Sequence, residues 1–191
     1  MILPFLLAVA FVLCIRFADY LVGSDDRDCH RVILCRSLLS FICAVVVFVA
    51  FNVDVMTING VGRWCAKTAL ILAIPLISEL KSLANSYHQE DVLHMARDYV
   101  LAPLFEEVVF RGPTFGTNGY LTTSLAFSLA HLNRGLPLEH AVAQLIITFL
   151  FGLYVYHVRM STGSVLPCVL VHAICNFSGP PDLTSMTFSK I

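Results

Sequence analysis

An all-α, polytopic integral membrane bundle is the fold class this sequence predicts, and three observations predict it. Hydrophobic residues fill 58% of the 191 positions and charged residues 13%, whereas soluble domains carry about 25% charged residues. The mean hydropathy is +0.80. The apolar residues gather in long runs divided by short polar breaks, without the period-two alternation of a membrane barrel. Only helices or closed barrels satisfy the backbone in lipid, so the runs read as helices. No internal repeat or low-complexity segment divides the chain, and residues 1–191 read as a single integral membrane domain.

The first run, residues 2–22, is interrupted by Arg16 and Asp19. It lacks a basic n-region, and Ala8-Val9-Ala10 comes too early for an apolar h-region before it, so a retained helix is expected rather than a cleaved signal. The loop GSDDRDCHR at 23–31 ends it. Residues 37–53 carry no charge and approach the roughly 20 residues that span a bilayer. A third run, 68–80, contains Pro75, and the polar stretch 81–98 is expected at the membrane surface. Further runs cover 99–112, 120–132, 140–158 and 164–178. The breaks RGPTFGTNGY and NRGLPLE hold the Gly, Pro and Asn of turns. The count is about seven transmembrane helices, or eight. Arg27, Arg31 and Arg36 favour a cytosolic first loop, but Asp25, Asp26 and Asp28 share it, and orientation stays open.

Composition also excludes functions. A net charge of -1 offers no basic patch, so nucleic acid is not a partner. The seven cysteines include no CxxC pair, which removes zinc ribbons and thioredoxin-like motifs. Cys14, Cys43, Cys168 and Cys175 lie in apolar stretches and read as small buried hydrophobes.

Against this background the stretch LAPLFEEVVFRG, residues 101–112, stands out. An ionisable residue within a span suggests function, while the bland alternative is an interfacial helix end with solvated charges. On a helix, Glu107 and Arg111 are four apart in the order that favours an ion pair. Glu106 lies about 100° away and is left to face another surface. Pro103 removes a backbone donor and predicts a kink. Two later runs present polar groups in the same way: Phe127 and His131 are four apart, as are His172 and Asn176.

Three spans with inward polar groups suggest one shared site. A carboxylate and a histidine can hold and deprotonate a water, and a second histidine with an amide can donate to an oxyanion. Glu106, His131 and His172 also match a His₂Glu zinc set, although there is no HExxH. Cys175 follows His172 by three residues, but a thiol in apolar surroundings is usually inert. A transporter or a non-catalytic membrane scaffold are the readings from other classes; the absence of a repeat opposes the former. Asn176-Phe177-Ser178 fits a glycosylation sequon, discounted because it directly follows an apolar helical run.

These residues resemble the CAAX prenyl endopeptidases of the Ras-converting type, within the CAAX protease and bacteriocin-processing membrane family. The matching motifs are Glu106-Glu107-Val-Val-Phe-Arg111, Phe127-Ser-Leu-Ala-His131 and His172-Ala-Ile-Cys-Asn176. The flanks RDYVLAPLFEEVVFRG and CNFSGPP look like the eukaryotic branch. So does the loop DDRDCHRVILCR, with Cys29 where the family's pattern has histidine. The resemblance implies a single membrane peptidase domain that clips the last three residues from prenylated CaaX proteins, such as Ras-like small GTPases. It implies Glu106 and His131 as activators of water, His172 and Asn176 as oxyanion donors, and Glu107, Arg111 and Phe127 in support. No metal and no cofactor are implied. The implied location is the endoplasmic reticulum membrane, multi-pass, with the site open toward the cytosol. A prenyl chain partitions the substrate into the bilayer, so a membrane-embedded peptidase suits it.

Overall fold

A computed structural model describes residues 2–24, 26, 28–53, 91–113, 119–132 and 137–178. Those residues are helical with short connections, and no strand occurs among them. The helices are α1 (Leu3–Val22), α2 (His30–Phe51), α3 (Val92–Ala96), α4 (Ala102–Arg111), α5 (Gly119–Ala130), α6 (Leu138–Thr162) and α7 (Leu166–Ser178). A π-helical turn, Arg97–Leu101, joins α3 to α4 without a break. The run expected at 68–80 lies outside the described residues.

Three helices, α1, α2 and α6, are long and apolar enough to cross a membrane, and the chain is membrane-embedded. Their apolar side chains are largely exposed in the isolated chain: Leu13 62%, Val49 72% and Leu150 57%. Such surfaces suit lipid tails rather than water. The expected seven or eight spans are not reached among the described residues. At 1.5 Å per residue, α5 with 12 residues extends about 18 Å, short of a roughly 30 Å hydrocarbon core, whereas α3, the π turn and α4 run on as one helical stretch from Val92 to Arg111.

Helix α4 is the hub. It packs against α1, α2, α5 and α7, and Pro103, Phe105, Glu107, Val108, Val109, Phe110 and Arg111 are all buried along it. A helix enclosed on most sides needs neighbours on most sides. Phe110 meets Phe11 and Phe127 edge-on, with ring centroids 5.9 and 5.3 Å apart. Helices α5 and α6 approach closely because Gly152 faces Ser124: a Cβ built at Gly152 would sit 3.0 Å from Ser124 Cα. Small residues at a crossing let membrane helices meet backbone to backbone. Helices α1 and α2 are tied by Arg36 Nε donating to Asp19 Oδ1 at 2.6 Å.

The kink expected at Pro103 takes the form of the π turn immediately before it. The Ala102 N–H donates to the Arg97 carbonyl, five residues back, and no longer serves Asp98. In that register the Asp98 carbonyl would look to residue 103, which is proline and has no N–H. Asn176 Nδ2 fills the position, donating to Asp98 O at 2.8 Å. Helix α3 is capped by Asp91, whose Oδ1 accepts from Leu93 N–H at 3.1 Å. That hydrogen bond, more than the nearby histidines, holds the Asp91 carboxyl below its usual pKa.

Candidate active site

The sequence places two glutamates side by side on α4, and the fold separates their surroundings. Glu107 is fully buried. Its Oε2 lies 3.3 Å from Arg111 Nε one turn on, and its Oε1 lies 2.8 Å from His172 Nδ1 on α7. The second contact spans helices and is not visible in the spacing. Arg111, also fully buried, lays its guanidinium over the Phe127 ring, 4.0 Å from the centroid, a cation–π arrangement. None of its nitrogens makes a hydrogen bond among the described residues, so charge and the ring face hold it.

Glu106 turns the other way. Its Oε2 lies 3.4 Å from His131 Nε2 and 3.9 Å from His172 Nε2, and its side chain is 16% exposed. His131 Nδ1 stands 2.9 Å from the Phe127 carbonyl. Phe127 lies between the two histidines, with ring centroids 4.2 Å from His131 and 6.0 Å from His172. Phe151 of α6 packs against His172 from another side, at 5.3 Å.

These contacts fix the ring chemistry. A carbonyl and a carboxylate only accept hydrogen bonds, so Nδ1 of each histidine carries the proton. In neutral rings both Nε2 atoms are then lone-pair acceptors, and both face a carboxylate oxygen that is also an acceptor. Three acceptors converge. Such a site calls for a donor, and a water or a proton meets that need.

The structure brings Glu106, Glu107, Arg111, Phe127, His131 and His172 together. Asn176 shares the His172 face one turn later but is exposed, and its amide nitrogen is engaged by Asp98 O. An amide carries a second N–H. The His₂Glu zinc alternative gains no support from these positions. Among the described residues, the three side chains close enough to share one ion are His30, Asp91 and His94. Cys175, the rival nucleophile, is half-buried.

A cavity of about 220 Å³ opens beside Glu106. Phe11, Ile15, Ile33 and Phe105 give it apolar walls, and Arg36, Arg97 and Asp98 give it a polar side. From the sequence alone, Arg36 bears only on orientation, and Arg97 and Asp98 have no role of their own. Arg97 Nε and Nη2 grip Asp98 at 2.6 and 2.7 Å, and Nη1 reaches Asp28 at 3.1 Å. The available signal was Arg36 and Arg97-Asp98 bordering apolar runs, a pattern shared with any snorkelling helix end.

Comparison with known proteins finds sequence relatives. The family model "Type II CAAX prenyl endopeptidase Rce1-like" matches residues 88–178. The chain is 28% identical over 184 residues to the probable CAAX prenyl protease 2 of Schizosaccharomyces pombe, covering 81% of this chain and 68% of that protein. It is 28% identical over 107 residues to CAAX prenyl protease 2 of Caenorhabditis elegans, covering 44% of this chain and 39% of the relative. For CAAX prenyl protease 2 of Arabidopsis thaliana the figures are 32% over 108 residues, 46% and 35%, so the match spans well under half of the latter two relatives. No solved structure matches the chain. The matched segment contains every side chain that converges around Phe127, and through residues 88–178 this chain is similar to the Rce1-like type II CAAX prenyl endopeptidases.

Proposed function

We propose that this protein is an intramembrane endopeptidase that removes the C-terminal aaX tripeptide from prenylated CaaX proteins, Ras-like small GTPases among them. The observation that carries the reading is the convergence of Glu106 Oε2 with Nε2 of His131 and His172, at 3.4 and 3.9 Å, each ring tied back through Nδ1. A water between Glu106 and His131 donates its protons to those two acceptors, which turns its oxygen lone pair toward a substrate carbonyl.

Glu106, assisted by His131, takes one proton as the water oxygen bonds to the carbonyl carbon. His172 in its charged form gives Nδ1–H to Glu107 and offers Nε2–H to the oxyanion, and Asn176 offers its second N–H. Glu106 then passes its proton to the leaving nitrogen. The C–N bond breaks, and the proton left on the attacking oxygen moves to the now ionised Glu106, to give a carboxylate on the prenylcysteine side and the free tripeptide. Glu107 and Arg111 hold His172 and the base of the site in register.

The neighbouring cavity suits an amphipathic substrate, with apolar walls for a hydrocarbon and a polar side for a peptide. A membrane-embedded enzyme in the endoplasmic reticulum, open toward the cytosol, would receive such a substrate from the bilayer. The test incubates the purified full-length chain in detergent with a farnesylated CaaX peptide and with its unmodified counterpart. The expected result is release of the tripeptide from the farnesylated peptide alone. Equal cleavage of both would overturn the lipid part of the proposal, and cleavage of neither would overturn the activity.

A further inference from the structure

We propose that His30, Asp91 and His94 form a binding site for one divalent transition-metal ion of the zinc type, which clasps the start of α2 to α3. One ligand atom from each lies within 4.8 Å of the others. His30 Nε2 is 2.5 Å from Asp91 Oδ2, and His94 Nδ1 is 3.7 Å from the same oxygen. Tetrahedral zinc, with bonds of 2.0–2.1 Å, sets its ligands about 3.3 Å apart. Reaching that geometry takes side-chain movements of roughly 1 Å, and His30 and Asp91 are exposed enough to make them.

The surroundings support the site in two further ways. Asp91 Oδ1 is occupied by the Leu93 N–H, so the carboxylate is held with Oδ2 toward both imidazoles as a monodentate ligand. If His94 binds through Nδ1, its Nε2 faces Asp28 Oδ1 at 3.8 Å, and Asp28 is itself held by Arg97 at 3.1 Å. A carboxylate behind a ligating histidine fixes the ring and raises its basicity. Two imidazoles and one carboxylate select zinc-like ions over magnesium or calcium, which take all-oxygen sets.

His30 and Asp91 are 61 positions apart in the chain, and Arg97 connects the cluster to the π turn and the cavity beside Glu106. A bound ion would therefore hold the start of α2 to α3, next to the Asp28–Arg97 pair that borders the cavity's polar side. Without an ion, an exposed His–Asp pair contributes little to holding two helices together.

The experiment strips the detergent-purified full-length chain with chelator, removes the chelator, and titrates zinc chloride by calorimetry. Thermal unfolding is followed in parallel. One ion per chain is expected, with a raised unfolding midpoint. His30→Gln and His94→Gln should each weaken binding at least tenfold, because each removes a ligand, while Asp28→Asn should weaken it about 10- to 100-fold from the outer shell. His30 and Asp28 are exposed and His94 is partly exposed, so metal-free midpoints close to wild type are expected, and measuring them separates ligand loss from misfolding. Glu106→Gln and His131→Gln should bind zinc as wild type does. No stoichiometric binding, binding unchanged in the His30→Gln/His94→Gln double variant, or binding lost on changing Glu106 or His131 would each overturn the proposal.

Discussion

Replacing Glu107 by glutamine removes one charge and almost no volume, which makes it the most discriminating perturbation of the centre. The side chain has no exposed surface. A glutamine oxygen can still accept the His172 Nδ1–H now bound at 2.8 Å, so the histidine keeps its orientation. What is lost is the counter-charge 3.3 Å from Arg111. The guanidinium is then buried with the Phe127 face at 4.0 Å as its main compensation, worth up to about 2 kcal/mol when desolvated. Stranding one partner of a buried ion pair costs about 3–5 kcal/mol, and the ring contact is present before and after, so it does not reduce the difference. Glu107→Gln should lower the unfolding free energy by about that amount. A suitable readout is reaction of a maleimide dye with Cys168, whose side chain is fully buried in the folded chain. Adding Arg111→Met should recover most of the loss, since removing both charges from a buried pair is often neutral or stabilising. A Glu107→Gln variant as stable as wild type, or a double variant no better than the single, would refute this account of the pair.

Glu106 should behave in the opposite way: it is partly exposed and faces two imidazoles, so Glu106→Gln should unfold like wild type while tripeptide release falls about 10²- to 10⁴-fold. Asn176→Ala should slow turnover about 10²- to 10³-fold if its second N–H serves the oxyanion, and should cost about 0.5–1.5 kcal/mol through the lost bond to Asp98 O. Adding Pro103→Ala, which returns an N–H to the π turn, should restore that stability but not the rate; restoration of both would make Asn176 a helix clasp only. At the α5–α6 crossing, Gly152→Leu should destabilise by about 1–3 kcal/mol, measured by the same maleimide assay, because Ser124 backbone lies 3.0 Å from the new Cβ. An unchanged unfolding free energy would mean the two helices can separate freely.

How much of this was legible in the sequence depends on how local each interaction is. Glu107 and Arg111 are one helical turn apart, so helical periodicity alone brings them together, and the same geometry turns Glu106 away from Arg111. The apolar background made the ionisable groups conspicuous, because carboxylates and imidazoles are rarely placed in such runs without a partner. The partner of Glu107 on α7 was another matter. His172 is 65 residues distant, and only the packing of α4 against α7 brings them together. The same limit hid the cluster of His30, Asp91 and His94, whose members look like ordinary polar loop residues when taken singly. The span count meets a related limit: hydropathy reports what a segment can tolerate, and α4 is apolar where neighbouring helices bury it. Pro103 shows how far local chemistry reaches. Its missing N–H was readable and predicted a distortion, but the form of that distortion depends on Asn176 arriving from α7 to take the Asp98 carbonyl. One proline therefore leaves an acceptor that a residue 78 positions away must satisfy, and that bond joins the turn before Glu106 to the helix carrying His172. The spacing of Glu106 and His172 is thus set by tertiary contacts that a one-dimensional pattern does not contain.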